Sequence, residues 1–277
     1  MSQTSILITG CSSGIGLDGA RTLKARGWRV FATARKAEDV DRLEDEGFES
    51  LRLDHTNPET IRNALAAVTE RTGGRLDAIF ANGAYGLPAA AEDLPTQALR
   101  EMFETNFFGV HELTRQVLPI MRAQGHGRLV YNSSGFGFAA FPWRSAYVAT
   151  KFALEGYVDT LRLEFHGTGI HPVLIEPGPI ATAFRVNSRP HFERWIDWEA
   201  SPRRAAYERD VLPRLYDESG KGDRFQLDPP AVSKALIHAV EARRPKPRYP
   251  VTVPTRAAAV LKRLLPVRAF DALSTRF

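Results

Sequence analysis

The sequence predicts a doubly wound α/β fold, one parallel sheet covered by helices on both faces. Three observations predict it. Short, almost wholly apolar runs recur along the first two thirds of the 277 residues. Helix-length amphipathic runs separate them. A glycine-rich turn joins the first apolar run to the first amphipathic one. Strands that are apolar on both faces leave no side for water, so helices must lie above and below them. In such sheets ligands bind beyond the carboxyl ends of the strands.

The first strand is Ser5 to Thr9, built on the consecutive apolar residues Ile6, Leu7 and Ile8. A helix from about Ile15 to Arg26 follows, then a second strand from Trp28 to Ala34 and a helix from Ala37 to Glu46. The third strand is Ser50 to Leu53. Pro58 after Asn57 is a helix-start signal, so 58–72 reads as the third helix. The fourth strand is Leu76 to Ala81, and one long helix runs from Thr96 to Gln124. Gly127 to Asn132 and Ile170 to Ile175 are the fifth and sixth strands, around a helix from Ser145 to His166. Residues 184–225 break the rhythm with aromatic and charged residues and no strand, as a substrate cap would. A helix from Pro229 to Arg243 and a short strand from Arg248 to Val251 come next. Residues 254–277 form a basic amphipathic tail interrupted at Pro266. No repeat or low-complexity linker divides the chain, so 1–277 reads as a single domain with an inserted cap.

Composition narrows the function classes. Hydrophobic residues make up 43% and charged residues 25%, as in a soluble globular protein rather than a disordered one. The net charge of +5 is spread without a basic arm, so nucleic acid is not an expected partner. The single cysteine, Cys11, permits neither an intrachain disulfide nor a thiolate zinc cage. The seven histidines show no metal-binding spacing, so no metal is expected. Met1 to Thr9 lacks the pattern of a signal peptide, and no run approaches the length of a membrane span. The expected setting is cytoplasmic.

The turn after the first strand is Thr9-Gly10-Cys11-Ser12-Ser13-Gly14-Ile15-Gly16. Gly10 lets the chain turn off the strand, while Gly14 and Gly16 leave room for a pyrophosphate and for helix-on-sheet packing. The helix N-terminus then offers N–H groups to phosphate. Further along stand Asn106-Phe-Phe-Gly109, Ser134, Tyr147-Val-Ala-Thr-Lys151 and Pro177-Gly178-Pro-Ile180-Ala-Thr182. Tyr147 and Lys151 lie one helical turn apart on one face. A phenol titrates near pH 10 in water, and a nearby ammonium would lower that value and suit it to proton transfer. Ser134 is placed to bond a substrate oxygen as charge develops on it.

Together these motifs resemble the classical short-chain dehydrogenases/reductases, nearest in appearance to bacterial relatives of hydroxysteroid and retinol dehydrogenases. The resemblance spans about Thr4 to Thr182 and implies a Rossmann fold and hydride transfer between nicotinamide and a carbonyl or alcohol carbon. It implies that Tyr147 is the acid/base, that Lys151 tunes it and bonds the nicotinamide ribose, and that Asn106 holds a water linking the lysine to solvent. It also implies a homodimer or homotetramer, with the Asn106 and Tyr147 helices in contact. Asn82-Gly83-Ala84 departs from the family's usual Asn-Asn-Ala-Gly, and Asn82 there either binds backbone across the sheet top or lines the cofactor site. Asp54 fits either an adenine-binding aspartate or a turn cap.

Cofactor choice rests on the end of the second strand. An acidic residue there would hold the ribose hydroxyls of NAD and repel a 2′-phosphate. This chain has Ala34 in that position, followed by Arg35 and Lys36, which can grip a phosphate. NADP is therefore expected in preference to NAD. Phe136, Phe138, Phe141, Pro142 and Trp143 lie between Ser134 and Tyr147, and the cap adds Phe184, Phe192, Trp195 and Trp198. Apolar walls of this kind suit a small lipophilic carbonyl or alcohol. The cap carries nine basic against eight acidic residues from Arg185 to Arg224, so no anionic substrate is favoured. The tail is expected to cover a core edge or a subunit contact, in preference to lying on a membrane surface. The rival to catalysis is an NADP(H)-sensing regulatory protein on the same fold, which would not need the Ser–Tyr–Lys set.

Overall fold

The computed structural model describes residues 3–219 and 221–275. Its strands are β1 (Ser5–Ile8), β2 (Arg29–Ala34), β3 (Glu49–Arg52), β4 (Ala78–Ala81), β5 (Gly127–Asn132), β6 (Ile170–Glu176) and β7 (Arg248–Pro250). All pair in parallel, in the order β3-β2-β1-β4-β5-β6-β7. Chain order reverses beside β1, where Ile6 is flanked by Val30 on one side and Ala78 on the other. That reversal opens the crevice in which such folds bind ligands.

The helices are α1 (Gly14–Ala25), α2 (Ala37–Asp45), α3 (Pro58–Thr72), α4 (Thr96–Phe103), α5 (Gly109–Gln124), α6 (Ser145–Glu164) and α7 (Phe184–Trp195). Then come α8 (Arg204–Ala206), α9 (Leu212–Leu215), α10 (Pro230–Glu241), α11 (Val253–Leu264) and α12 (Val267–Ser274). Side chains alternate along each strand, so each face of the sheet has its own core. Leu7, Phe31, Ile79, Leu129 and Leu174 pack with residues of α3, α5 and α6. Ile6, Ile8, Val30, Phe80, Val130 and Ile175 pack with residues of α1 and α10. A third cluster, around Met102, Phe192, Tyr207 and Val211, joins the cap to Tyr147.

The helix expected from Thr96 to Gln124 is broken. A wide π-type turn, Glu104–Phe108, separates α4 from α5 and re-phases them. Gly109 begins α5 because a Cβ there would overlap the backbone of His55. Pro266 splits the tail into α11 and α12, as read from the sequence. Among the described residues no helix is long and apolar enough to cross a membrane.

Candidate active site

The glycine-rich turn has the backbone its residues call for. Gly10 (φ +71°) and Gly14 (φ +57°) occupy the left-handed region. A Cβ on Gly16 would overlap the Gly10 carbonyl oxygen, so α1 starts this close to β1 only without a side chain. Ser13 caps α1 by position but makes no side-chain cap bond, and no acidic residue lies in the first turn. The first N–H groups of α1, with Ile15 among them, therefore keep their partial positive charge for an anion. Arg42 Nη2 donates to the Ser12 carbonyl (2.6 Å) and fastens the turn to α2. Cys11 is fully buried, and burial pushes its thiol up to about 12.

Asn82 stitches the sheet top. Its Nδ2 donates to the carbonyls of Thr9 (3.0 Å) and Gly10 (3.2 Å), and its Oδ1 accepts from Asn132 Nδ2 (2.8 Å). The Thr9 hydroxyl accepts from the N–H groups of Asn82 (2.9 Å) and Gly83 (3.1 Å). Of the two readings for Asn82, binding backbone across the sheet is the one its side chain performs here. Asp54 Oδ1 accepts from the N–H and hydroxyl of Thr56, both at 2.9 Å, which is the turn-cap arrangement. At the end of β2, Ala34 is buried and Arg35 and Lys36 are exposed.

The segment after β6 closes the crevice. The Pro177 carbonyl accepts from the Gly135 N–H (2.8 Å). Gly178 lies so close to Thr252 that a Cβ would overlap its hydroxyl. Ile180 pairs with Leu227, just beyond the cap. Thr182 stands 3.0 Å from where a Gly14 Cβ would be, so the segment crosses directly over the glycine-rich turn.

The reacting residues converge at the carboxyl end of β5. Ser134 caps a short turn, its hydroxyl accepting from the Phe136 N–H (3.1 Å) and donating weakly to the Pro177 carbonyl (3.5 Å). Tyr147 and Lys151 are buried one turn apart on α6, with Lys151 Nζ 5.5 Å from the Tyr147 ring centroid. Lys151 donates to the Asn132 carbonyl (2.7 Å). Burial lowers its pKa to about 8, against the opposing charge of Glu155. The expectation that Lys151 holds the Tyr147 phenol below its usual value is not met in this structure. Burial dominates and raises the phenol, with the Ser134 hydroxyl pulling the other way. Asn106 sits in the π-type turn, and its amide is spent on protein. It bonds both the N–H and carbonyl of Tyr85 (3.1 and 2.9 Å) and the Thr150 hydroxyl (3.3 Å). Thr150 in turn donates to the Tyr147 carbonyl (2.8 Å), so the Asn106 side chain braces α6 at Tyr147.

Aromatic rings wall this point. Phe184 lies 5.3 Å and Phe136 6.1 Å from the Tyr147 ring, both edge-on, and Phe141 packs on Phe136 at 5.0 Å. Phe184 also covers Gly86, where a Cβ would come within 2.8 Å of its ring. Phe192 is fully buried, and it joins Trp195 and Trp198 in packing the cap on the body. Sequence reasoning missed Thr9 and Asn132, which stand at the carboxyl ends of β1 and β5. The general rule that ligands meet strand ends was the signal that could have found them. It also missed Arg42, Glu155 and the Tyr85–His191 stack (3.8 Å), whose partners are distant in the chain and leave no local pattern.

The crevice fits a dinucleotide. A glycine cradle faces uncapped helix N–H groups, exposed basic residues follow β2, and a buried Ser–Tyr–Lys set lies at the far end. Known proteins agree. YbbO of Escherichia coli strain K12, an uncharacterised oxidoreductase, is 40% identical over 269 residues, covering 97% of this chain and 93% of its own. Retinol dehydrogenase 8 of Homo sapiens is 31% identical over 254 residues, covering 87% and 78%. A short-chain dehydrogenase from Streptomyces avermitilis superposes with a TM-score of 0.79 at 31% identity, covering 97% and 94%. Actinorhodin polyketide ketoreductase with NADPH gives 0.72 at 28% identity, covering 90% and 95%. The family described as short chain dehydrogenase matches residues 4–192. The chain therefore belongs to the classical short-chain dehydrogenase/reductase family, oxidoreductases that use a nicotinamide cofactor.

Proposed function

We propose that this protein is an NADP(H)-dependent reductase of a lipophilic aldehyde or ketone, working in the cytoplasm as a homo-oligomer. The observation that carries the reading is Tyr147, a buried phenol held protonated at neutral pH between Ser134 and the edges of Phe136 and Phe184. A protonated phenol among apolar walls is a proton donor for a carbonyl oxygen. Nicotinamide, when bound, supplies the hydride. Ser134 bonds the substrate oxygen and steadies its developing charge. Tyr147 delivers the proton from its phenolic oxygen, and Lys151, charged below about pH 8, supports that transfer from one turn away.

Buried Ala34 and exposed Arg35 and Lys36 support the phosphate-bearing cofactor. The aromatic walls and a relative named for retinol support a lipophilic substrate. Exposed Phe108 beside α5, with exposed Phe152 and Leu163 on α6, supports subunit contact through these elements. NADPH absorbance should fall with a panel of lipophilic aldehydes and ketones, and Tyr147→Phe should abolish that turnover while cofactor binding persists. Turnover surviving in the variant would overturn the assignment. Arg35→Asp should shift preference toward NADH, and tighter NADH than NADPH binding by the unaltered protein would refute the cofactor reading.

A further inference from the structure

We propose that α11 and α12 dock this protein on an anionic lipid surface. A surface helix ordinarily turns its apolar stripe inward, but α11 does the reverse. Its one buried residue is Thr255. Val253, Val260 and Leu264 fall on a single outward face, and they are 61%, 56% and 73% exposed. Exposed Ala257 fills the gap between the two valines. Val267 and Leu273, near the start and end of α12, are exposed as well. These five are among thirteen large apolar side chains exposed on the described residues, yet they lie within one stretch of 22. That is a patch, not scatter.

The charges around it choose the occupant. Arg256, Arg263 and Arg268 accompany the patch, against Asp271 alone, while Lys262 turns to the opposite side of α11 with its ammonium 5.1 Å from the Phe270 ring centroid. Arg256 and Arg263 lie along one flank of the α11 stripe. A second copy meeting this face with the same face would bring Arg256 and Arg263 against the same two cations across an apolar seam. A bilayer carrying acidic headgroups accepts the apolar stripe and neutralises the cations together. The sequence favoured a tail covering a core edge or subunit contact. In the structure the stripe points away from the body, so it is not what covers the core. The first turn of α11 also lies against the reacting residues: a Cβ on Gly135 would stand 3.1 Å from the Thr255 hydroxyl. Thr255 faces the body from the side of α11 opposite the stripe, and the proposal does not depend on the activity proposed above.

The test is co-sedimentation of the full chain with phosphatidylcholine vesicles, with and without about 30% phosphatidylserine, at about 0.1 and 0.5 M salt. Binding should need the acidic lipid and weaken at high salt. Arg256→Glu with Arg263→Glu should weaken it at least about 25-fold, since each basic residue near an acidic surface contributes about fivefold. Val260→Asp with Leu264→Asp should abolish it. Thermal melting and sedimentation equilibrium on the same variants report folding and subunit mass, and both should match the unaltered protein. A protein that stays in solution with acidic vesicles at low salt overturns the proposal. So does either double variant binding as tightly as the original. If Val260→Asp with Leu264→Asp splits an oligomer, the face joins copies of this chain and the lipid reading fails.

Discussion

Replacing Lys151 with methionine should stabilise the fold while ending turnover. Lys151 is 3% exposed, and burial brings its ammonium from an ordinary 10.5 to about 8. At about 1.4 kcal/mol per pH unit, holding the charged form buried costs the folded state about 3 kcal/mol. The bond to the Asn132 carbonyl returns about 1–2 kcal/mol of this. A methionine of similar unbranched shape carries no charge to bury, so the net gain is about 1–2 kcal/mol at pH 7. The pH dependence follows from the direction of the shift. Because the folded value lies below the unfolded one, only the unfolded chain holds the proton between about pH 8 and 10.5. Stability of the unaltered protein therefore rises with pH through that window. The methionine variant's advantage is full below about pH 8 and gone by about 10.5. Urea unfolding followed by circular dichroism at pH 7 and at the alkaline end of that window measures it. A variant less stable at pH 7, or one with a pH-independent advantage, would refute the reasoning.

Three further outcomes are expected. Gly16→Val forces a side chain into the Gly10 carbonyl, and it should cost about 1–3 kcal/mol in thermal unfolding and remove NADPH binding measured by fluorescence. Arg248→Met strips the cation from Glu155, Glu176 (2.7 Å) and Asp159 (2.6 Å) and should cost about 3–5 kcal/mol. Melting curves should show that loss shrinking toward pH 5, because burial has already raised Glu176 to about 7 and protonation removes the uncompensated charge. Cys11, buried with its thiol pushed up to about 12, should resist a thiol-reactive dye in the native protein and label only on unfolding.

What was legible in the sequence was whatever repeats locally. Consecutive apolar residues such as Ile6-Leu7-Ile8 announce a doubly covered strand, and β1, β2, β4, β5 and β6 lie where such runs stand, while β3 (Glu49–Arg52) and β7 (Arg248–Pro250) are half-covered edge strands without one. Gly10, Gly14 and Gly16 were legible because backbone geometry admits few alternatives at a tight strand-to-helix turn. The π-type turn at Asn106 was not, since the amphipathic period carries on across it and the break is set by His55 pressing on Gly109 from β3's far end. The outward stripe of α11 was equally hidden. Periodicity shows that a helix has an apolar face but not whether that face meets protein or solvent. Arg35 and Ala34 were read correctly as to place, because one strand end fixes both.

The least legible part is the charge balance behind Lys151. Burial acts against the ammonium of Lys151 and against ionisation of Tyr147, so the two groups alone would both tend toward their neutral forms. Glu155, one turn beyond Lys151, supplies the opposing charge, and it accepts from the Ser133 hydroxyl (2.5 Å) next to Ser134. Glu155 is itself buried and its carboxyl is raised by that burial, so it can stay charged only beside a cation. That cation is Arg248, at the start of β7 and nearly a hundred residues away. Gly137 completes the arrangement, because a Cβ there would stand 2.8 Å from the Glu155 carboxylate. Arg248 thus reaches the reacting residues electrostatically, through Glu155. A change at β7 that leaves Ser134, Tyr147 and Lys151 in place should still alter the pH at which Lys151 loses its proton.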